Sequence, residues 1–461
     1  MLLEPIFERF VQRSPFAVMS RALLERALCP QELDELFERQ ADKQYTRELL
    51  FSSVVDLMSL VVTCTYDSVH AAYTDEAVDL SVSLTSVYNK LQGIEDPVSS
   101  ELVRHTAARL QPIVKQLRGT WPQIIPGYRL RILDGNHLAA SEHRLEETRH
   151  DSAAPLPGQA LVIYDPSVHM ATDVILCEDG HAQERSLLER VVEKIRARDL
   201  WLADRNFCVK HFLLAIAKRR GCFIIREHKK LNYRPCGKLR RRGRVETGEV
   251  FEQTISLEDE DGRRWRMRRV VLRLHEPTRD GDVEIGLITN LPPKVRAAKV
   301  ANTYRKRWTI ETGFAELTDT LACEINTLCY PKAALFVFCV ALAAYNVQSA
   351  LKGVMRSVHG KKTIDAEFSR HFMAREITRV DSGLMIAFPA EHWRVFRKMT
   401  TQEFAEFLRG VARQVNLDRY PKSHRGPKKA KPKRRYSKKR PHISTARLLQ
   451  ERKTKRLTAS M

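Results

Sequence analysis

The sequence contains no apolar run long enough to cross a membrane. Its longest, residues 333–345, has about 13 residues, whereas a membrane-spanning helix needs roughly 20. The first ten residues carry acidic side chains within their apolar stretch, without a basic start or a small-residue cleavage site. We therefore expect no signal peptide and no membrane partner, and we interpret residues 333–345 as part of a buried helix.

Several short motifs are also missing. The nine cysteines are odd in number and no two have C-x-x-C spacing, which argues against a disulfide framework or a zinc knuckle and favours a reducing cytosol. The phosphate-cradling motif G-x-x-x-x-G-K-[ST] is absent as well, so no nucleotide-hydrolysing site is predicted.

Glycine and proline are few, at 19 and 20 of 461 residues, and 43% of the chain is hydrophobic. Collagen-like repetition and wholesale disorder are thereby excluded. At roughly 100–200 residues per domain, the length predicts two to four structural units.

Positive charge is abundant and unevenly distributed. The chain carries a net charge of +22, and 16 Lys and Arg against one acidic residue give +15 to residues 421–461 alone. Such a segment has too little apolar surface to offset its ordering entropy, so it is predicted to be disordered in isolation. Its charge favours a nucleic-acid partner, with a solubilising tail or an acidic protein partner as alternatives.

Hydrophobic periodicity divides the rest of the chain. Residues 1–120 show helical spacing, and we expect DNA binding from this region, with simple packing as the alternative. From residue 128 onward short apolar runs alternate with turns in the order β-β-β-α-β-α-β, which is typical of an α/β layer with a mixed sheet. The predicted strands are 128–134, 160–164, 171–177, 200–204 and 222–225, and the predicted helices are 184–197 and 209–218.

Beyond this layer the pattern changes again. Basic turns alternate with β-rich stretches, which predicts an inserted β-rich subdomain, and two long helices follow at about 293–320 and 331–355. The predicted divisions are a helical domain at 1–120, a first core part at 121–226, the insertion at 227–292, final core helices at 293–355, a helical region at 356–420 and the basic tail at 421–461.

Acidic residues at strand ends are the candidate site. Asp134 closes the first strand of the layer and Asp204 the fourth, and ligands of α/β sheets collect at such ends. On the predicted helix that follows the insertion, the side chains of Tyr304, Arg307 and Glu311 form one polar stripe beside an apolar stripe. Glu316 of the same helix is predicted to lie further round, toward solvent. Three converging carboxylates would suit Mg²⁺, although strand-end acids are also common turn residues and Arg307–Glu311 has the spacing of an ordinary surface ion pair.

Three segments carry a family resemblance: residues 133–138 (LDGNHL), 200–207 (LWLADRNF) and 304–311 (YRKRWTIE). In order and spacing they resemble the motifs of bacterial insertion-sequence DDE transposases, in the family headed by insertion sequence four. The resemblance implies an RNase H-like catalytic core, preceded by an all-helical domain and interrupted by a β-rich insertion.

The same resemblance implies an activity. It assigns Asp134, Asp204 and Glu311 as catalytic metal ligands for two Mg²⁺ ions per site, with Mn²⁺ as the alternative, and Tyr304 and Arg307 as DNA contacts. The implied partners are transposon-end DNA, target DNA and a second copy of the chain in a homodimer. The expected location is the cytoplasm, in association with the nucleoid. One position departs from the pattern, because Thr318 stands where the family has lysine.

Two further residues are DNA-contact candidates. Arg226 ends the fifth predicted strand, where it would meet a phosphate, and Trp265 stands among four arginines, where it would stack on a base. A core tryptophan is the alternative for Trp265. Two other functions remain open, namely a catalytically inactive DNA-binding regulator and an RNase H-like nuclease without strand transfer.

Overall fold

The computed structural model describes residues 5–44, 48–76, 80–149, 152–278, 281–423 and 442–459. Within these residues the chain is a mixed α/β protein with a large mixed sheet and an N-terminal helical region. The helices are α1 Pro5–Arg13, α2 Pro15–Ala27, α3 Pro30–Gln40, α4 Phe51–Val62, α5 Val69–Glu76, α6 Leu84–Gly93, α7 Asp96–Gln116, α8 Leu188–Val192, α9 Lys210–Lys218, α10 Ala297–Tyr304, α11 Trp308–Thr320, α12 Pro331–His359, α13 Lys361–Glu367, α14 Arg370–Ala387, α15 Ala390–Trp393, α16 Val395–Lys398, α17 Thr401–Ala412 and α18 Thr445–Ala459.

The strands form one ten-stranded sheet and one short pair. They are β1 Arg129–His137, β2 Ala154–Leu156, β3 Gln159–Asp165, β4 Met170–Cys177, β5 Asp199–Ala203, β6 Cys222–Arg226, β7 Arg234–Pro235, β8 Arg240–Val245, β9 Gly248–Glu258, β10 Arg264–Leu274, β11 Glu284–Thr289 and β12 His442–Ser444. The large sheet runs β4-β3-β1-β5-β6-β11-β10-β9-β7, with β8 on β9. All five strands predicted between 128 and 225 are present, close to their predicted bounds.

The centre of the sheet is parallel and covered on both faces. β1, β5 and β6 pair in parallel, whereas β3 is antiparallel to both β1 and β4. Alternate residues point to opposite faces, so Ile132 and Leu202 join the cluster that contains α7 and α12, while Leu133 and Ala203 join the cluster around α8 and α9. Burial on both faces explains why the middle residues of these strands, 132–133, 200–203 and 223–225, are apolar.

The β-rich segment is not a separate layer. β11 pairs with β6, and β10 and β9 continue outward by antiparallel pairing. The turn between β9 and β10 is closed by Asp259, which accepts a 2.8 Å hydrogen bond from the Arg263 amide, and by Gly262 at φ 75°. The inserted strands therefore extend the sheet that carries Asp134, whereas the sequence predicted an inserted subdomain.

Helix α12 is long and apolar enough to cross a membrane by length and composition, but 94% of its apolar window is buried inside the protein. It begins with Pro331 at its first turn and ends at Gly360, whose φ of 88° favours glycine. The prediction that residues 333–345 form part of a buried helix is confirmed.

Part of the C-terminal segment differs from its prediction. Residues 442–459 form β12 and α18 instead of a disordered tail, while residues 424–441 of the predicted tail lie outside the described residues. β12 pairs in parallel with β2, and Arg452 of α18 makes ion pairs with Glu146, at 2.6 Å, and Glu147. Pairing with acids and a strand some 300 residues away supplies the order that local composition lacks.

Candidate active site

Parallel pairing places Asp134 beside Asp204. The last registered pair of β1 and β5 is Leu133 with Ala203, so the next position on each chain is one of these aspartates. Asp134 lies within β1, which continues to His137, whereas Asp204 follows the end of β5 and begins a 3₁₀ turn. Each lies two residues after a residue that faces α12, namely Ile132 and Leu202, so the two carboxylates share that face of the sheet.

The polar stripe predicted on one long helix spans two helices. Tyr304 ends α10, Arg307 lies in the 3₁₀ turn 305–307, and Glu311 is in the first turn of α11. Ile310 and Leu317 are buried in the apolar cluster on this face of the sheet. The predicted apolar stripe therefore holds the polar one at the edge of the contact, although the helix is interrupted by a tighter turn.

Arg307 links two of the predicted metal ligands. Its guanidinium lies 3.5 Å from Asp134 Oδ2 and 2.6 Å from Glu311 Oε1. Only 12% of its side chain is exposed, against 48% for Glu311. Ion pairs of a largely buried guanidinium are stronger than surface pairs, so Arg307 holds the helical carboxylate close to the strand carboxylate.

The environment of Asp134 in the site disfavours the negative charge of its carboxylate. Burial raises the pKa of Asp134 from 3.8 to about 7; Arg307 opposes this rise, and the carboxylates of Glu311, Asp204 and Glu184 add to it. Asp204 Oδ1 is buried and has no hydrogen-bond partner. Carboxylates that are buried near each other and incompletely paired are poised to bind a cation or a proton.

Tyr304 completes this group from the helical side. Burial raises the pKa of its hydroxyl, while Arg307, which lies within hydrogen-bonding reach, opposes the rise and Asp204 adds to it. A neutral hydroxyl in this position can donate a hydrogen bond to an incoming oxygen atom.

Of the remaining two candidates, Arg226 lies beside Asp204, because the last registered pair of β5 and β6 is Ala203 with Ile225. Arg226 ends β6 one strand beyond Asp204, and its guanidinium is 2.6 Å from Asp282. Trp265 lies on β10 and packs against the cluster around α8 and α9, and its indole nitrogen donates a 2.9 Å hydrogen bond to Asp259. Trp265 therefore faces away from the Asp134 side of the sheet, and base stacking by it stays a prediction.

Glu184 is a site neighbour that the sequence did not indicate. It accepts a hydrogen bond from the Asn206 side chain, and a Cβ at Gly135 would lie 1.8 Å from Glu184 Oε1. Glycine next to Asp134 therefore makes room for a fourth carboxylate. The small residue in the first motif was the only signal available.

The helical angle of Glu316 predicted that its side chain points toward solvent, and this prediction is wrong. Its carboxylate lies 3.2 Å from Arg370 Nε of α14 and 4.0 Å from Lys352 Nζ of α12. Both cationic side chains are less than 10% exposed. The prediction was wrong because the helical angle considers only the packing of α11 on the sheet, whereas α12 and α14 cover the other side of this helix.

The donor chemistry of the site suits a hard divalent cation, since carboxylate oxygens are its preferred ligands and Asp204 Oδ1 is an unpartnered one. Across the described ranges, however, no group of three or more His, Cys, Asp and Glu side chains is close enough to hold a metal ion. Arg307 lies within ion-pair distance of both Asp134 and Glu311, so its single positive charge is shared between these two carboxylates.

Comparison with known families supports a transposase. Residues 125–347 match the family model of the transposase DDE domain. This match supports a DDE transposase. The matched DDE segment contains all three candidate carboxylates, the inserted strands and the first half of α12.

The comparison with solved structures gives a similar chain in the cryo-EM structure of a piggyBac transposase synaptic complex with hairpin DNA. The two share 10% sequence identity with a TM-score of 0.37, over 92% of this chain and 90% of that one. No curated protein matches the sequence.

Proposed function

We propose that the protein is a DNA transposase that binds the ends of its own insertion sequence, cleaves phosphodiester bonds there and joins the freed ends to target DNA. The observation that carries the proposal is the adjacency of Asp134 and Asp204 on parallel strands, with Glu311 held near Asp134 through Arg307. We further propose the family headed by insertion sequence four, on the three motifs that contain these residues.

We also infer an RNase H-like core. Its support is the strand order β4-β3-β1-β5-β6, in which the antiparallel β3 separates β4 from the parallel strands. This order has the carboxylate-bearing strands β1 and β5 at its centre, as an RNase H-like core requires.

DDE domains generally use divalent metal ions, and Asp134 and Asp204 are the residues that would hold Mg²⁺ or Mn²⁺ here. Glu311 would join them once Arg307 exchanges its carboxylate partners for DNA phosphate. When bound, such ions activate the attacking oxygen and stabilise the leaving one.

The protein's own groups would divide the remaining work. Arg307 binds a phosphate bidentately as it releases the carboxylates, and Tyr304 donates a hydrogen bond from its hydroxyl to a phosphate oxygen. Water first attacks the phosphodiester at the element's end, and the freed 3′-hydroxyl then attacks target DNA, so bonds are exchanged and no energy cofactor is consumed.

A second candidate is a DNA-binding regulator without catalysis. The ion pairs of Arg307 with Asp134 and Glu311 favour it, because the guanidinium contacts two of the three carboxylates and would compete with a metal ion for them. A nuclease that cuts without joining is the third reading.

One experiment separates the three. The purified chain is incubated with Mg²⁺, a supercoiled target and labelled duplexes that carry the inverted repeats flanking its gene. Cutting with joined products supports the transposase, cutting alone the nuclease, and binding alone the regulator.

Substitution at Glu311 tests the assignment of the third carboxylate. Glu311→Gln should abolish cleavage, by at least about 100-fold, and leave end binding within about threefold, because it removes a carboxylate and no basic surface. The matched control is Glu324→Gln, which makes the same change at an acidic residue beyond the end of α11. Normal cutting by Glu311→Gln would show that Glu311 is not a ligand.

A further inference from the structure

A second cleft lies on the other side of the loop that follows Asp204. It has a volume of about 550 Å³. One wall is the start of α9 and the 3₁₀ turn before α8, and the other consists of the β6–β7 loop with β7, β9 and β10. The lining residues used below are Arg185, Lys210, His228, Lys230, Tyr233 and Arg234.

The cleft is strongly basic. Five Lys and Arg side chains and one histidine line it, against one carboxylate, Glu258. Within the described part of the chain, Lys210, Lys230 and Arg234 make no ion pair, whereas Arg264 lies 3.5 Å from Glu258. Unpaired cations facing one cavity are a binding surface for an anion, since they gain little from the protein itself.

The pKa of His228 reflects the positive potential in the cleft. Burial and the neighbouring cations Arg185, Lys230 and Arg205 all lower its pKa. The positive charges of these side chains therefore act on the same part of the cleft.

The cleft is connected to the candidate active site by one side chain. Arg185 Nε donates a 2.7 Å hydrogen bond to the Asn206 carbonyl, and Asn206 lies two residues after Asp204. The other wall belongs to strands of the insertion, which share the sheet of the catalytic core. The cleft and the candidate active site therefore lie on either side of one short loop.

We propose that this cleft binds an unpaired segment of DNA next to the cleaved bond. The cavity lies in the range that encloses small ligands, roughly 300–1,000 Å³, which admits a few nucleotide units but no duplex. Its unpaired cations match the repeating charge of a phosphodiester backbone, and Tyr233 offers a ring for base stacking. The inference rests on the proposed function and assigns to the inserted strands a part in holding one strand of the substrate.

The test uses the full-length chain and a fluorescent oligothymidylate in anisotropy titrations at several salt concentrations. In the triple variant Lys210→Ala, Lys230→Ala, Arg234→Ala, affinity should fall at least about tenfold, and the slope of log K against log salt should flatten by about 2, since each lost contact contributes about 0.7. The control Lys115→Ala, Lys362→Ala, Arg413→Ala removes the same charge from exposed positions on the α7, α13 and α17 side, and should leave the slope within about 0.5 of wild type.

A Tyr233→Leu variant adds a readout that charge does not affect. It should weaken oligothymidylate binding about tenfold and duplex binding less than twofold, because only an unpaired base can stack on the ring.

The outcomes separate this inference from the proposed function. Equal losses in the two triple variants would overturn the cleft and leave the transposase proposal intact, because binding would then follow total charge alone. Absence of binding to both single-stranded and duplex DNA by the wild-type chain would overturn both.

Discussion

On the proposed function, Arg307 would compete with a bound metal ion for the carboxylates. Its guanidinium is within ion-pair distance of both Asp134 and Glu311, so a divalent cation must displace it or share these groups with it. On the proposed function, the arrangement would make DNA binding and metal binding mutually supportive, because a phosphate that takes the guanidinium would free the carboxylates.

The first prediction concerns this competition. Arg307→Gln should raise Mn²⁺ affinity about three- to tenfold in calorimetric titration without DNA, since removal of a cation strengthens the local negative potential. Arg305→Gln makes the same charge change at a residue that pairs with Glu246 at 3.1 Å instead, and should have little effect. Unchanged or weaker Mn²⁺ binding by Arg307→Gln would contradict the competition.

A second prediction follows from the pKa of Asp134. Burial raises this pKa from 3.8 to about 7, so the folded protein holds the proton more tightly than the unfolded chain does. The stability that the protonated carboxyl contributes is present at low pH and is lost as pH rises from about 4 through 7.

Asp134→Asn stays neutral at every pH. Measured by urea unfolding in EDTA, its gain in unfolding free energy over wild type should be larger at pH 8 than at pH 5 by about 2–3 kcal/mol. The exposed Asp67→Asn serves as control. A gain that is equal at the two pH values would show that Asp134 does not titrate in this range.

At the scale of elements, helix α11 is held from two sides. Its apolar residues Ile310 and Leu317 pack into the cluster on the sheet, and its Glu316 meets Arg370 at 3.2 Å and Lys352 at 4.0 Å. The same helix carries Glu311 one turn earlier. The C-terminal helices, to which the sequence assigned no role, therefore contribute to the position of the third candidate carboxylate.

The third prediction tests this anchorage. Arg370→Ala should lower the free energy of unfolding by about 3–5 kcal/mol, because it leaves the Glu316 carboxylate, whose side chain is only 25% exposed, without its closest partner. DNA cleavage at a temperature where the variant is folded should fall more than end binding does. In Arg39→Ala the lost pair with Glu35 is 4.0 Å long and more than half exposed on each side, so the change should stay below about 1 kcal/mol.

At the scale of the whole molecule, one sheet joins regions far apart in sequence. The core strands and the inserted strands meet where β6 pairs with β11, and Ile225 and Ile288 at this seam are fully buried. The insertion thus belongs to the folding unit of the core, which fits its proposed place in the DNA-binding cleft.

Hydrogen exchange gives the fourth prediction. Amides of β10 and β11 should exchange as slowly as those of β1 and β5, because one continuous sheet opens cooperatively. Mass spectrometry of peptic peptides measures the protection of each segment. If residues 234–289 exchange together and at least about tenfold faster than β1, the insertion is an independent unit.

The sequence alone determined the local features of this protein. Alternating and helical periodicity depends on neighbouring residues, so it located the five core strands, the N-terminal helices, the buried helix around residues 333–345 and the carboxylates at or near two strand ends. The order of these features along the chain was enough to indicate the family resemblance that the match over residues 125–347 supports at the level of a DDE transposase domain.

Tertiary structure decided what depends on distant partners. The joining of β11 to β6, the pairing of β12 with β2, the burial of Glu316 against Arg370 and the approach of Glu184 to Gly135 all involve residues at least 49 positions apart. No local pattern encodes such pairings, because their free energy comes from surfaces that meet only after the chain has folded. The same limit applies to Arg307, whose spacing predicted its pair with Glu311 but not the contact with Asp134 that joins helix to sheet.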